Sequence, residues 1–380
     1  GDLRATRRAT GHALLLCGAT TITAFGSLAW SSNAGLASLG RICAAGIACA
    51  VVTAVFILPA WWKLIHGRSG ALPARRSGAG PSRLYSGLVW QIGRGLGRHL
   101  PEPFLHGVAQ GIASLFRVLR PGRFRTVVNN LLPAFDHDRP AAEAAARRLF
   151  RNFGLKIAHL WAYEAGRDID HLVGRLEGRE RFFAALESRR GVLLITPHLG
   201  NWEFGAPLLA RHGIRLMAVT MEEPTRRLTE LRRQSRQRWG IETIVIQRDP
   251  FAFLEVLRQL EAGAAVALLV DRPPAATAVS VSLFGGTLEA SLAPAELARA
   301  SGCVLLPVYV LHHSSGYHAC VLPEIAYDRR ALRRVEARQA LAQEIMRAFE
   351  PIIRNHPDQW YHFVPIWQTP PGTNTPSPAR

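Results

Sequence analysis

Apolar positions follow two different patterns along this chain. Residues 11–31 (GHALLLCGATTITAFGSLAWS) and 42–65 (ICAAGIACAVVTAVFILPAWWKLI) are nearly continuous apolar runs with no Asp, Glu or Arg. Each approaches or exceeds the ~20 residues that a helix needs to cross a bilayer, which predicts a two-helix transmembrane hairpin within residues 1–66. Residues 67–82 (GRSGALPARRSGAGPS) read as a flexible linker. From residue 83 the pattern changes to short segments. Residues 83–120, with Tyr85, Trp90, Phe104 and Phe116, predict helices that pack on a core or lie on a membrane surface. Helices are expected at 141–165, 179–188, 202–212, 225–239, 250–262, 292–301 and 331–355. Strands are expected at 191–196, 214–220, 243–247, 264–270, 304–312 and 317–322. This alternation predicts an α/β fold over residues 83–370, a mixed, largely parallel sheet flanked by helices. The aromatic segment 357-PDQWYHFVPIW-367 is expected to pack on the core, and 371–380 to be a disordered tail.

Charge adds an orientation. The formal net charge of +18 is almost wholly arginine, since Lys63 and Lys156 are the only lysines. Arg4, Arg7 and Arg8 precede the first apolar run, and Lys63, His66, Arg68, Arg75 and Arg76 follow or end the second. The stretch between the runs carries only Arg41. Positive charge at both outer ends predicts a hairpin with both termini in the cytoplasm. Arginine-rich surfaces attract anionic headgroups, acidic carriers or nucleic acid, but the arginines are dispersed and no nucleic-acid motif is present, so nucleic acid is not expected as a partner. The cysteines at 17, 43, 49, 303 and 320 show no paired spacing, which argues against a disulfide framework or structural zinc. His312, His313 and His318 have no acid or cysteine at ligand spacing, so no metal site is expected.

The segment with the most chemistry is His198-Leu199-Gly200-Asn201-Trp202-Glu203, directly after the run 191–196. A strand ending at Thr196-Pro197 places His198 outside its carboxyl end, where open α/β sheets put ligands. On one continuous helix, positions five apart diverge by about 140 degrees. A cooperating His198 and Glu203 therefore need the turn that Gly200-Asn201 supplies. His198 is then the general base and Glu203 the group that orients its ring, while Asn201 either caps the following helix or meets substrate. With 14 histidines and 28 acids, about one such spacing arises by chance, so the motif needs support from elsewhere. Asp271-Arg272 falls on the same sheet edge, to meet a headgroup or oxyanion or to form a solvated ion pair. Arg232 and Arg236, in the arginine-rich segment 226–238, either bind phosphates or form a charged solvent face.

That support comes from a resemblance. ITPHLGNWE is similar to the signature block of the lipid A late acyltransferase family, which includes phosphatidylinositol-mannoside acyltransferases. Further matching segments are Val128-Asn129-Asn130-Leu131, Arg151-Asn152-Phe153-Gly154, 232-RRQSRQRWG-240, Asp271, Phe284-Gly285-Gly286, 294-PAELARASGCVLLPVYV-310 and 357-PDQWY-361. The chain departs from the lipid A members where Thr220-Met221-Glu222-Glu223 replaces an expected arginine, and where Tyr361-His362-Phe363-Val364-Pro365 replaces an arginine pair. These departures point away from lipid A as acceptor. Residues 1–66, with Thr20-Thr21, Phe25-Gly26-Ser27-Leu28, 35-GLASLG-40 and Leu58-Pro59, resemble the last two helices of RND-type (MMPL-like) lipid exporters. Together with a first residue that is Gly1 rather than Met, this implies an exporter tail fused to a second domain.

The resemblances imply a membrane-bound acyltransferase of the bacterial inner membrane, with its catalytic domain on the cytoplasmic side. It would move an acyl chain from acyl carrier protein or coenzyme A to a lipid or glycolipid hydroxyl or amine, with no metal or other cofactor. The alternatives are a lipid or thioester hydrolase using the same histidine, and a lipid-binding component fused to an exporter. The absence of a G-x-S-x-G elbow removes a serine esterase.

Overall fold

The computed structural model describes residues 17–53, 86–205, 209, 216–223, 225–246 and 252–369. The chain divides into two compact units, Gly1–Gly78 and Ala79–Arg380. The linker 67–82, the tail 371–380, the arginines before residue 16 and the basic end of the second apolar run all lie outside the described residues.

In the first unit, residues 17–28 are helical (α1) and a second helix, α2, spans Ala34–Val52. The second helix begins eight residues earlier than the apolar run at 42 suggests. Asn33 explains this, because its side chain accepts hydrogen bonds from the Gly35 and Leu36 N–H groups and caps the new start. Arg41 therefore sits inside the helix rather than in a loop. A Cβ at Gly40 would overlap the backbone of Phe25 to Ala29, so glycine lets the two helices approach closely. Ala34–Val51 is long and apolar enough to cross a membrane, with a mean hydropathy of 1.7.

The second unit is the expected α/β fold. Among the described residues, one sheet has seven strands: β1 (Val173–Glu177), β2 (Val192–Thr196), β3 (Leu216–Thr220), β4 (Ile241–Val245), β5 (Ala265–Leu269), β8 (Val304–His313) and β9 (Gly316–Val321). Their order is β1-β9-β8-β2-β5-β3-β4, parallel throughout except where β8 and β9 form a hairpin. The continuous apolar sequence of β2 follows from its position, since it is covered on both faces. Leu193 and Ile195 face one core with Val266 and Leu305, while Val192 and Leu194 face another with Phe182 and Leu216.

Four strands escaped the sequence reading. The strands β6 (Ala278–Leu283) and β7 (Gly286–Ser291) make a hairpin, joined by a two-residue turn in which Phe284 and Gly285 both have positive φ. A third strand, β10 (Trp367–Thr369), completes a small antiparallel sheet. The short, largely exposed edge strand β1 carries too little apolar pattern to be read.

Helices α3 (Gly87–His99), α4 (Glu102–Leu119), α5 (Pro121–Leu131) and α6 (Arg139–Glu164) precede the sheet, and α7 (Arg179–Glu187) joins β1 to β2. Asn130 on α5 ties down the chain's far end. Its side-chain amide donates to the His362 and Val364 carbonyls at 3.0 and 2.8 Å, and its own carbonyl accepts from the Trp367 indole at 3.1 Å. The segment 357–367 is thereby held against the core, with Trp360 and Tyr361 buried. Replacing Asn130 with Ala leaves one buried and one part-buried carbonyl without this donor, so a stability loss of about 1–3 kcal/mol is expected. Hydrogen exchange should quicken first across residues 362–367; unchanged protection there would contradict this role.

Candidate active site

The sheet register brings the central residues together. β2 and β5 are parallel neighbours with Thr196 paired to Leu269. His198 and Asp271 each lie two residues beyond that pair, so the strands deliver both to the same edge. The His198 loop is fixed by backbone bonds: Gly200 N–H donates to the Gln359 carbonyl, Asn201 N–H to Val310, and Tyr361 N–H to the His198 carbonyl. Gly200 has φ of +61° and lies so close to Val310 that a Cβ would overlap its carbonyl oxygen.

Asp271 has a side chain that is 0% exposed. Four N–H groups converge on its carboxylate. The His198 backbone N–H donates to both oxygens at 3.0 and 2.9 Å, and His198 Nδ1 lies 2.6 Å from Oδ1. On Oδ2 are the Trp360 indole N–H at 3.0 Å and His362 Nε2 at 2.7 Å. Burial alone would raise the carboxyl's pKa, but its histidine partners outweigh burial and hold it well below the usual range. An ionised carboxylate only accepts, so the proton of His198 resides on Nδ1 and the Nε2 lone pair is left open. Arg272 closes the assembly by donating from Nε to His362 Nδ1 at 3.3 Å and from its terminal nitrogen to the Tyr361 carbonyl. Burial, and then the charge of Arg272, push the His198 pKa down to about 3, so its ring is neutral near pH 7.

The sequence pairs His198 with Glu203; in the structure the side chain bonded to the His198 ring is that of Asp271. Glu203 turns instead to α8 (Arg226–Gln237), where Arg236 grips both its oxygens at 3.0 and 2.7 Å and Arg232 approaches one at 2.7 Å. Burial raises the Glu203 pKa, but the two guanidinium groups more than reverse this and hold it far below the usual range. Arg232 also lies 3.5 Å from both Glu164 and Glu223. These two arginines are thus engaged with carboxylates of the protein itself, rather than forming a charged solvent face. Asp271 and Arg272 are likewise no solvated pair. Asn201 makes no capping bond to the short helix Trp202–Phe204; it is buried and does not line the adjacent cavity.

That cavity measures about 1190 Å³. His198, Glu203, Arg236 and Arg272 reach it, but its walls are mostly apolar, including Ile112, Phe116, Phe153 and Val219. Such a space suits a long hydrocarbon chain with a polar end. Trp202 also lines it, with its ring 5.0 Å from that of His198. Lys156, buried, also lines the cavity, its Nζ 2.9 Å from the Trp202 ring centre and 2.9 Å from the Gly200 carbonyl. Burial pulls the Lys156 ammonium well below its ordinary pKa. The sequence reading missed the roles of His362, Trp360 and Lys156. One signal was available for the last, as a lysine kept in a chain with 46 basic residues, nearly all arginine. His362 carried none, because its partner lies 91 residues away.

Comparison with known proteins agrees with this architecture. Residues 3–103 match the MMPL family, a match that runs past the first unit into α3 and the start of α4. A phosphatidylinositol mannoside acyltransferase of Mycobacterium tuberculosis is 30% identical over 205 residues, which cover 53% of this chain and 61% of that protein. One from Mycolicibacterium smegmatis is 27% identical over 207 residues, covering 53% and 61%. The chain thus spans about 61% of the length of the curated relatives it matches. Residues 84–369, three quarters of the chain and the whole of the sheet with His198 and Asp271, match the bacterial lipid A biosynthesis acyltransferase family, and the chain belongs to that family.

Proposed function

We propose that this protein transfers a fatty acyl group from a thioester of acyl carrier protein or coenzyme A to a hydroxyl or amine of a glycolipid. The observation that carries this reading is the His198 Nδ1–Asp271 bond, which leaves an unprotonated Nε2 on a residue lining a large apolar cavity. In the reaction, Nε2 removes the acceptor's proton as its oxygen or nitrogen attacks the thioester carbonyl carbon. Collapse of the tetrahedral adduct breaks the C–S bond, and the imidazolium returns the proton to the departing sulfur. Asp271 holds the tautomer and stabilises the imidazolium. Arg272, on the cavity wall, supplies positive charge for the oxyanion. Glu203, which the sequence placed in the catalytic pair, serves here to fix Arg232 and Arg236.

The acceptor we favour is a phosphatidylinositol mannoside or a similar glycolipid. This rests on the names of the relatives and on the departures from the lipid A pattern. We place the reaction at the cytoplasmic face of the bacterial inner membrane. Leu88 and Ile92 on α3, and Phe104, Val108, Leu115 and Leu119 on α4, form an exposed apolar stripe suited to a lipid surface. Ile112 on the same helix also lines the cavity, which gives a lipid acceptor a route inward. The exporter-like hairpin would anchor the domain there.

Three outcomes follow for purified protein given an acyl donor and mannosylated phosphatidylinositol. His198→Ala should abolish transfer, and Asp271→Asn should lower kcat by roughly 10³–10⁴. Glu203→Gln should instead destabilise the fold by about 3–5 kcal/mol, because two buried guanidinium groups lose their counter-charge. A stably folded Glu203→Gln enzyme that is as inactive as His198→Ala would contradict the division of roles. Because burial favours the neutral ring, log kcat/KM should stay flat through the ordinary histidine range, about pH 6.5. It should fall only as pH approaches about 3, where the base becomes protonated. An acid limb centred near the ordinary value would refute the buried-base description.

A further inference from the structure

On another part of the second unit, three histidines gather around one carboxylate. Glu102 and His106 stand one turn apart at the start of α4, His159 comes from α6, and His171 from the short turn Asp170–Leu172. Glu102 Oε1 lies 3.4 Å from His106 Nε2 and 3.9 Å from His159 Nε2, while Oε2 lies 2.9 Å from His171 Nε2. Ligand atoms of Glu102, His106 and His159 all fall within 4.8 Å of one another. Ligands at tetrahedral bond lengths of about 2.1 Å stand roughly 3.4 Å apart; the Glu102–His106 distance matches this, the Glu102–His159 distance is longer, and His171, on the other carboxylate oxygen, lies outside the set of three.

The nitrogens concerned are in an unusual state. His106 Nε2 and His159 Nε2 are both shielded from solvent and have no hydrogen-bond partner among the described residues. The His159 side chain is only 2% exposed. Its other nitrogen, Nδ1, is 2.8 Å from the Tyr317 hydroxyl, which fixes the ring so that Nε2 faces Glu102. An imidazole held by one nitrogen and open at the other is the usual arrangement of a metal-binding histidine. A cation between these nitrogens and the carboxylate would give both shielded nitrogens the partner they lack.

We infer that Glu102, His106 and His159, with His171 as fourth ligand, form a site for a divalent transition metal of the zinc class. Three nitrogens and one carboxylate oxygen suit zinc and disfavour calcium or magnesium, which prefer oxygen. The sequence reading expected no metal and, among the histidines, weighed His312, His313 and His318. The cluster escaped it because the ligands are dispersed over residues 102 to 171. A metal here would clamp the start of α4, the helix bearing the exposed apolar stripe, to α6 and to the turn before β1. Its role is structural and does not rest on the acyl-transfer reading.

The test uses the untagged full chain in detergent, stripped with a chelator and titrated with Zn²⁺, and separately with Co²⁺ as a spectroscopic probe. The expected result is one tightly held zinc per chain, visible bands of tetrahedral cobalt, and a raised Tm in the presence of metal. Glu102→Gln and His106→Asn change side chains that are partly exposed, so both variants should fold; each should lose the stoichiometric zinc and the cobalt bands. Failure of the wild-type chain to retain zinc overturns the inference. So does zinc binding with cobalt bands that both substitutions leave unchanged, which would place the metal elsewhere, for example at the stacked rings of His313 and His318.

Discussion

A fully buried carboxylate is stable as an anion only if it is surrounded by donors, and the second unit is organised around supplying them to Asp271. The donors come from two separate parts of the chain: the loop after β2 gives the backbone and ring N–H groups of His198, and the C-terminal segment gives Trp360 and His362. Each of these must be held in turn. Gly200 permits the tight passage of the His198 loop beside Val310, and Asn130 holds the segment that bears His362. The arrangement also decides chemistry, because an acceptor-only Asp271 fixes which nitrogen of His198 carries the proton.

The second ionic centre differs in kind. Around Glu203, charge is balanced within the protein: Arg232 and Arg236 against Glu203, with Glu164 and Glu223 nearby. Breaking such a buried network is costly, while forming it contributes little net stability. Its contribution is therefore to fix where α8 lies relative to the His198 loop. The two centres share the cavity wall, one presenting an open imidazole nitrogen and the other a closed set of ion pairs.

Much of this was legible in the sequence, for reasons that can be named. The apolar run 191–196 followed by His198 was readable because a central parallel strand is apolar throughout and ends at a ligand-binding edge. Asp271 was recognised as lying on that edge. Its partnership with His198 was not readable, because it depends on β2 and β5 being neighbours, a fact of strand order rather than of local pattern. Glu203 was favoured for its nearness in sequence, yet the turn that frees it from His198 delivers it to arginines on α8. The start of α2 was misplaced because hydropathy registers apolar content while the helix obeys a cap at Asn33. The serine alternation of β6 was present but short, and β1 has almost no apolar signal.

The central claim is that Asp271, and not Glu203, sets the protonation of the His198 ring. Nitrogen-15 NMR of the histidine-labelled protein near neutral pH tests this directly. The account predicts a neutral His198 ring protonated at Nδ1, with a strongly deshielded Nδ1–H signal that is lost in Asp271→Asn and retained in Glu203→Gln. A ring protonated at Nε2, or a signal that survives Asp271→Asn and vanishes in Glu203→Gln, would contradict it.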